Sequence, residues 1–115
     1  MSDLTVYGIK TCDTCRKALK WLDEQGRDYH WHDLRADGLD RVQVESWLDA
    51  VGSDALVNRR STTWRGLDAD TRKAASDPEQ AVELLLAHPT LIKRPLFSTG
   101  GLLMLGFNAS VRDSL

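Results

Sequence analysis

Leu4, Val6 and Gly8 alternate with Thr5, Tyr7 and Ile9 near the start of the chain, a short and largely apolar run that predicts a buried strand. From Asp13 the period changes. Cys15, Ala18, Leu19 and Leu22 recur at helical spacing, and Gly26 stands where a helix stop is expected. Tyr29-His30-Trp31-His32-Asp33-Leu34 predicts a second strand. A strand, a crossover helix and a strand in that order imply a parallel pair with a right-handed connection.

The middle of the chain is helical by the same test. Val44, Trp47, Leu48 and Val51 form an apolar stripe, Asp40 and Gln43 occupy capping-box positions, and Gly52 is the expected stop. A polar, basic loop follows over Asn58-Arg59-Arg60-Ser61-Thr62-Thr63-Trp64-Arg65, then a short helix over Asp70 to Ala75. The next helix is better marked. Asp77 is its N-cap, Pro78 its first residue and Gln80 its third, while Ala81, Leu84, Leu85 and His88 form its stripe and Pro89 ends it. Pro95-Leu96-Phe97-Ser98 and Leu102-Leu103-Met104-Leu105 read as strands joined by a three-residue connection, Thr99-Gly100-Gly101, and Asn108 as the cap of a last helix ending near Leu115. The outline is β-α-β, a helical insert, then β-β-α. That is an α/β, thioredoxin-like layout with a mixed four-stranded sheet, a single domain over 1–115. Its two halves are expected at about 1–35 and 88–115, with the helical insert at about 36–87.

Composition narrows the function. With 115 residues and 42% hydrophobic content, the chain can bury a core without staples. A net charge of -2 argues against direct nucleic-acid binding, even though Arg59, Arg60 and Arg65 lie close together. The apolar run Leu102–Leu105 is far too short to span a membrane, and Met1-Ser2-Asp3-Leu4 has no signal-peptide pattern. Two cysteines in such a chain predict a reducing, cytoplasmic setting, where a C-x-x-C is more often catalytic or metal-binding than structural.

Both cysteines lie in Lys10-Thr11-Cys12-Asp13-Thr14-Cys15-Arg16-Lys17, at the junction of the first strand and helix. Cys12 is expected at the helix N-terminus, where unpaired N–H groups and the macrodipole favour a thiolate. Lys10, Arg16 and Lys17 add positive charge, and Asp13 opposes it. Lowering a thiol pKa from about 8.5 to about 6.5 raises the thiolate fraction at pH 7 by ~25-fold. Lower intrinsic nucleophilicity returns about eightfold of that. The net gain in attack is small, so residues that fix the substrate must supply most of the catalysis. Cys15, one helical turn on, shares the stripe of Leu19 and Leu22 and is placed to be a core-facing resolving thiol, or simply a small buried residue. His30 and His32 share a strand face and with the cysteines would complete four zinc donors, but the spacing is unlike common zinc signatures and no metal site is assigned.

Tyr7-Gly8-Ile9-Lys10-Thr11-Cys12 with Cys15-Arg16-Lys17-Ala18, Asn58-Arg59-Arg60-Ser61, and Leu91-Ile92-Lys93-Arg94-Pro95-Leu96 followed by Gly106-Phe107-Asn108 together resemble the arsenate reductase/Spx (ArsC-like) family. The Thr-Thr-Trp-Arg run at Thr62 to Arg65 resembles its small YffB-type branch most. The resemblance implies that Cys12 is the nucleophile, that Arg94 binds an anion, and that Pro95 is a cis-proline beside the cysteine. Arg60, two residues past Asn58, is expected to substitute for a second anion-binding arginine of the family. The charges of Lys10 and Arg16 beside Cys12 make them, with Pro95, further candidates for contact with substrate. Where arsenate reductases of the glutathione-coupled type have further arginines, this chain has Asn58 and Gly100-Gly101-Leu102-Leu103, which turns the expectation away from arsenate itself. The expected function is a thiol-dependent reductase acting on an oxidised thiol or oxyanion. It carries no bound cofactor and takes glutathione, or a glutaredoxin- or thioredoxin-type donor, as reductant. The alternative is a redox-switch adaptor that binds RNA polymerase or another protein through a Cys12–Cys15 disulfide toggle.

Overall fold

The computed structural model describes residues 3–115 and divides them into two compact units, one of residues up to Asp37 with Arg94–Leu115, the other Gly38–Lys93. The first unit holds a four-stranded sheet in the order β2-β1-β3-β4, from β1 (Thr5–Gly8), β2 (His30–Asp33), β3 (Leu96–Thr99) and β4 (Leu102–Leu105). Strand β1 is parallel to β2 and antiparallel to β3, and β3 is antiparallel to β4. The sheet is therefore mixed, and with its helices the fold is α/β and thioredoxin-like.

Helices α1 (Asp13–Glu24) and α7 (Ala109–Ser114) close one core with the sheet. Leu4 and Val6 point to the same side of β1, and the register puts Phe97 opposite Val6. These three bury against Ala18 and Leu22 of α1 and Val111 of α7, with Trp21, Trp31 and Phe107 packed around them. The helical stripe read from the sequence is this buried face. Gly26 takes a φ of 65° just past the end of α1, a left-handed position that glycine adopts without strain.

The β3–β4 connection differs from expectation. Thr99 pairs with Leu102, so only Gly100 and Gly101 form the turn, with φ of 52° and 84°. Positive φ at both central residues is the type I′ geometry that matches the twist of a two-residue hairpin. A three-residue loop would have left Thr99 out of the ladder.

The second unit contains α2 (Arg41–Val51), α3 (Ser53–Leu56), α4 (Thr62–Arg65), α5 (Ala69–Ala74) and α6 (Pro78–Ala87), with a 3-10 turn at Pro89–Leu91. Helices α2 and α6 pack together, and Val44, Trp47 and Leu48 of α2 and Ala81, Leu84 and Leu85 of α6 are buried. The Asp40 carboxylate caps α2 by accepting from the Val42 N–H at 3.3 Å. Asp77 caps α6 by accepting from the Glu79 N–H and also from the Gln80 side chain. The basic loop is shorter than expected, because Ser61 Oγ accepts from the Trp64 N–H and starts α4. Residues 88–93, grouped above with the C-terminal strands, belong to this unit. Asn58 N–H donates to Leu91, Lys93 N–H donates to Leu56, and Val57 bridges Ile92.

Candidate active site

Both cysteines, Lys10, Arg16, Arg94 and Pro95 lie in the first unit. Strand β1 ends at Gly8, and a tight turn closed by the Cys12 N–H donating to the Ile9 carbonyl at 2.9 Å delivers Cys12 to the N-cap of α1. Cys12 has the extended backbone of an N-cap there (φ -82°, ψ 120°), with a sulfur where serine would offer an oxygen. The sulfur receives the Cys15 N–H. The Arg94 guanidinium and the Cys15 thiol also hydrogen-bond to it.

These contacts decide the charge state. Burial opposes ionisation of Cys12, but the Cys15 N–H, the Arg94 guanidinium and the Cys15 thiol outweigh it, so its pKa lies below the ordinary thiol value of 9.0. Cys15 is driven the other way. It is 1% exposed, and burial first, then the charge and hydrogen bond of Cys12, push it up to about 12 against the opposing Ile9 N–H. The two thiols are therefore shifted in opposite directions, Cys12 towards the thiolate and Cys15 towards the thiol.

Arg94 precedes Pro95 through a cis peptide bond, and Pro95 is buried at the entry to β3. Arg16 is an exposed residue whose Nε donates to the Lys10 carbonyl at 3.0 Å, so its guanidinium braces the loop that carries Cys12. Lys10 is exposed on that loop. Arg60 sits in the second unit on an Asx turn, its N–H donating to Asn58 Oδ1 at 3.1 Å. Its neighbour Arg59 is committed to Asp54 at 2.8 Å and lies 5.5 Å over the Trp64 ring. His32 faces Tyr7 with ring centroids 5.0 Å apart, and among the described residues no three His, Cys, Asp or Glu side chains cluster as metal ligands.

Two residues bearing on the site were not singled out by the sequence reading. Gly8 enters the sequence analysis only within the strand alternation and the Tyr7-to-Cys12 motif, yet a Cβ there would fall 2.5 Å from Cys15 Sγ and 3.0 Å from the Trp31 ring. A glycine inside a strand is the available signal for such a close approach. Gly8→Ala is expected to cost about 1–3 kcal/mol of stability by overpacking, read as a lower urea midpoint. An unchanged midpoint would show that Cys15 and Trp31 can yield. Asp33 was read only as the end of a strand. Its carboxylate is 6% exposed and accepts N–H groups from Lys10, Arg35 and Ala36.

Among the described residues, no helix is long and apolar enough to cross a membrane. The chain is similar to the solved YFFB protein at 41% identity and a TM-score of 0.89, covering 96% of each chain. It is also similar to an arsenate reductase (ArsC) related protein from Brucella melitensis at 42% identity and a TM-score of 0.80, covering 99% of this chain and 93% of that one. The global transcriptional regulator Spx of Streptococcus pyogenes serotype M3 is 26% identical over 107 residues, 91% of this chain and 78% of that protein. The ArsC family profile matches residues 7–113, a span that runs from the end of β1 through the cysteine pair and Arg94-Pro95 to α7. The chain belongs to the ArsC family.

Proposed function

We propose that this chain is a glutathione-linked thiol reductase in which Cys12 is the nucleophile. The observation that carries the reading is the Cys12 sulfur at the N-cap of α1, receiving hydrogen bonds from the Cys15 N–H, the Cys15 thiol and Arg94. Three donors converging on one sulfur stabilise the attacking thiolate and later the thiolate leaving group. The Cys12 thiolate attacks the sulfur of an oxidised thiol, or the central atom of an oxyanion that Arg94 orients. It forms a covalent adduct and expels the leaving thiolate, or, from a protonated oxyanion, a water molecule. From a disulfide adduct, glutathione thiolate attacks the substrate-derived sulfur, forms a mixed disulfide with it and expels the Cys12 thiolate. From an oxyanion adduct, glutathione thiolate attacks the Cys12 sulfur, and the electron pair of the broken bond reduces the central atom. A second glutathione attacks the resulting Cys12–glutathione disulfide and releases glutathione disulfide and the Cys12 thiolate.

Cys15 offers a second route, and its environment sets when. While Cys12 is anionic, its charge and hydrogen bond help hold Cys15 as a thiol. Forming the adduct removes both effects and leaves the Arg94 charge, which favours ionisation of Cys15. Burial, the largest influence, persists, so Cys15 becomes a better attacking group without becoming a fast one. After treatment with glutathione disulfide, mass spectrometry is expected to find a Cys12–Cys15 bond in the native chain and a glutathione adduct in Cys15→Ser. A Cys15→Ser protein with the same product as the native chain would remove the resolving role.

The likeness to the Spx regulator, together with thiols already in hydrogen-bond contact, favours one competing reading. In it the pair is a disulfide toggle on an adaptor that binds RNA polymerase or another protein. NADPH consumption with glutathione, glutathione reductase and a substrate panel including arsenate separates the two. Absence of any Cys12-dependent turnover would favour the adaptor.

A further inference from the structure

The parallel ladder between β1 and β2 runs out just where the cysteine loop begins. His30 N–H donates to Leu4 and Leu34 N–H to Gly8, so the next bond in the series would run from the Lys10 N–H to the Leu34 carbonyl. The chain turns away over residues 34–37, and the Lys10 N–H donates instead to Asp33 Oδ2 at 3.2 Å. The other oxygen, Oδ1, accepts from Arg35 and Ala36 at 2.8 and 2.9 Å and so shapes that turn. One buried carboxylate therefore joins the end of β2 to the first residue of the loop. From Lys10 the tie passes through its carbonyl to the Arg16 guanidinium, and from the adjacent Ile9 carbonyl to the Cys12 N–H.

We propose that Asp33 is a positioning residue for Cys12, acting through the Lys10 N–H to fix the loop so that the Cys12 sulfur stays over the Cys15 N–H. This deepens the reading of Cys12 as the reactive thiol. The influence of Asp33 reaches the sulfur through the backbone of Lys10, Ile9 and Cys12. A carboxylate is the suitable group, because both oxygens only accept and three N–H donors must be met. The N–H groups and the Lys10 charge hold it below the usual 3.8 despite burial, so it is ionised throughout the range in which thiols titrate.

The two oxygens allow a clean substitution. In Asp33→Asn the amide oxygen keeps its two bonds to Arg35 and Ala36, and the NH2 group then faces the Lys10 N–H, donor against donor. The turn survives and the tie to the loop is lost. The measurement is the pH profile of Cys12 alkylation by iodoacetamide with no substrate present. The charged and titratable groups around the sulfur are Cys15 and Arg94, with Lys10, Asp13 and Arg16 on its own segment, and none is altered. Loss of position predicts that the midpoint moves up towards 9.0, whereas loss of a negative charge alone would move it down.

A downward or unchanged midpoint in folded Asp33→Asn overturns the proposal. Asp37→Ala is the control, since Asp37 Oδ2 accepts the Asp33 N–H at 2.9 Å and so braces the same turn. Its midpoint is expected to stay with the native chain, and an equal rise would assign the effect to the turn instead. Should Asp33→Asn not fold, an NMR titration of the native chain through acid takes its place. The Lys10 and Cys12 amide resonances are expected to move together with one midpoint, below 3.8, and a stationary Cys12 amide overturns the coupling. Native alkylation with a midpoint at or above 9.0 would instead defeat the reading of Cys12 on which this rests.

Discussion

Cys12→Ser is expected to lower glutathione-dependent turnover by at least about 10³-fold, to the uncatalysed background. The argument is electrostatic as much as chemical. The donors around the sulfur stabilise an anion, and a serine hydroxyl at the same N-cap stays neutral across the range in which a thiol ionises. Stability should change little, because Cys12 is only half-buried and serine is a favoured N-cap. The check pairs steady-state NADPH consumption with urea unfolding on the same samples. Retained turnover in a folded Cys12→Ser protein would mean that the reaction does not pass through this sulfur. Loss of fold alongside loss of turnover would be read against Cys12→Ala, which removes the hydroxyl as well as the thiol.

Where a structural feature depends on near neighbours, the sequence announced it. Asp77, Pro78 and Gln80 mark the start of α6 because capping is a contact over three residues, and Asn108 likewise accepts from the Val111 N–H at 3.0 Å. The cysteine pair was legible for the same reason, since helix-end electrostatics follow from knowing where a helix begins. Helix α4 was missed because four residues are too few for a hydrophobic period, although Ser61 offered a cap. The turn at Gly100-Gly101 was misjudged by one residue because composition names a hairpin while only strand pairing fixes its register. Gly8 carried a partial signal, a glycine inside a strand, whereas Asp33 carried none. What crowds Gly8 includes Trp31, and what Asp33 ties is Lys10, each 23 positions away, so neither partner could be named from its neighbours in the chain. Arg94 stands between these cases. Nothing near it in the chain says that it meets Cys12, 82 positions earlier, and family resemblance alone pointed there.

Arg94→Gln is expected to raise the midpoint of Cys12 alkylation and to lower kcat/KM by about 10- to 150-fold. The second figure follows from the ~1.5–3 kcal/mol typical of a hydrogen bond to a charged group. The sign of the first is set by what the guanidinium does. It contributes both a hydrogen bond and a positive charge to the thiolate, and each lowers the thiol pKa, so removing both lets burial weigh more heavily. Because the pKa of Cys12 is depressed in the folded chain, the stability it lends is present above the ordinary thiol value of 9.0 and is lost as pH falls through the folded value. Arg94→Gln should flatten that dependence, which urea unfolding at several pH values would read. Arg94→Lys separates the two contributions. It keeps the charge but not the planar fork, so it should recover most of the alkylation profile and little of the rate on an oxyanion or carboxylate-bearing substrate. If Arg94→Lys restores both, charge alone accounts for the residue and the fork orients nothing.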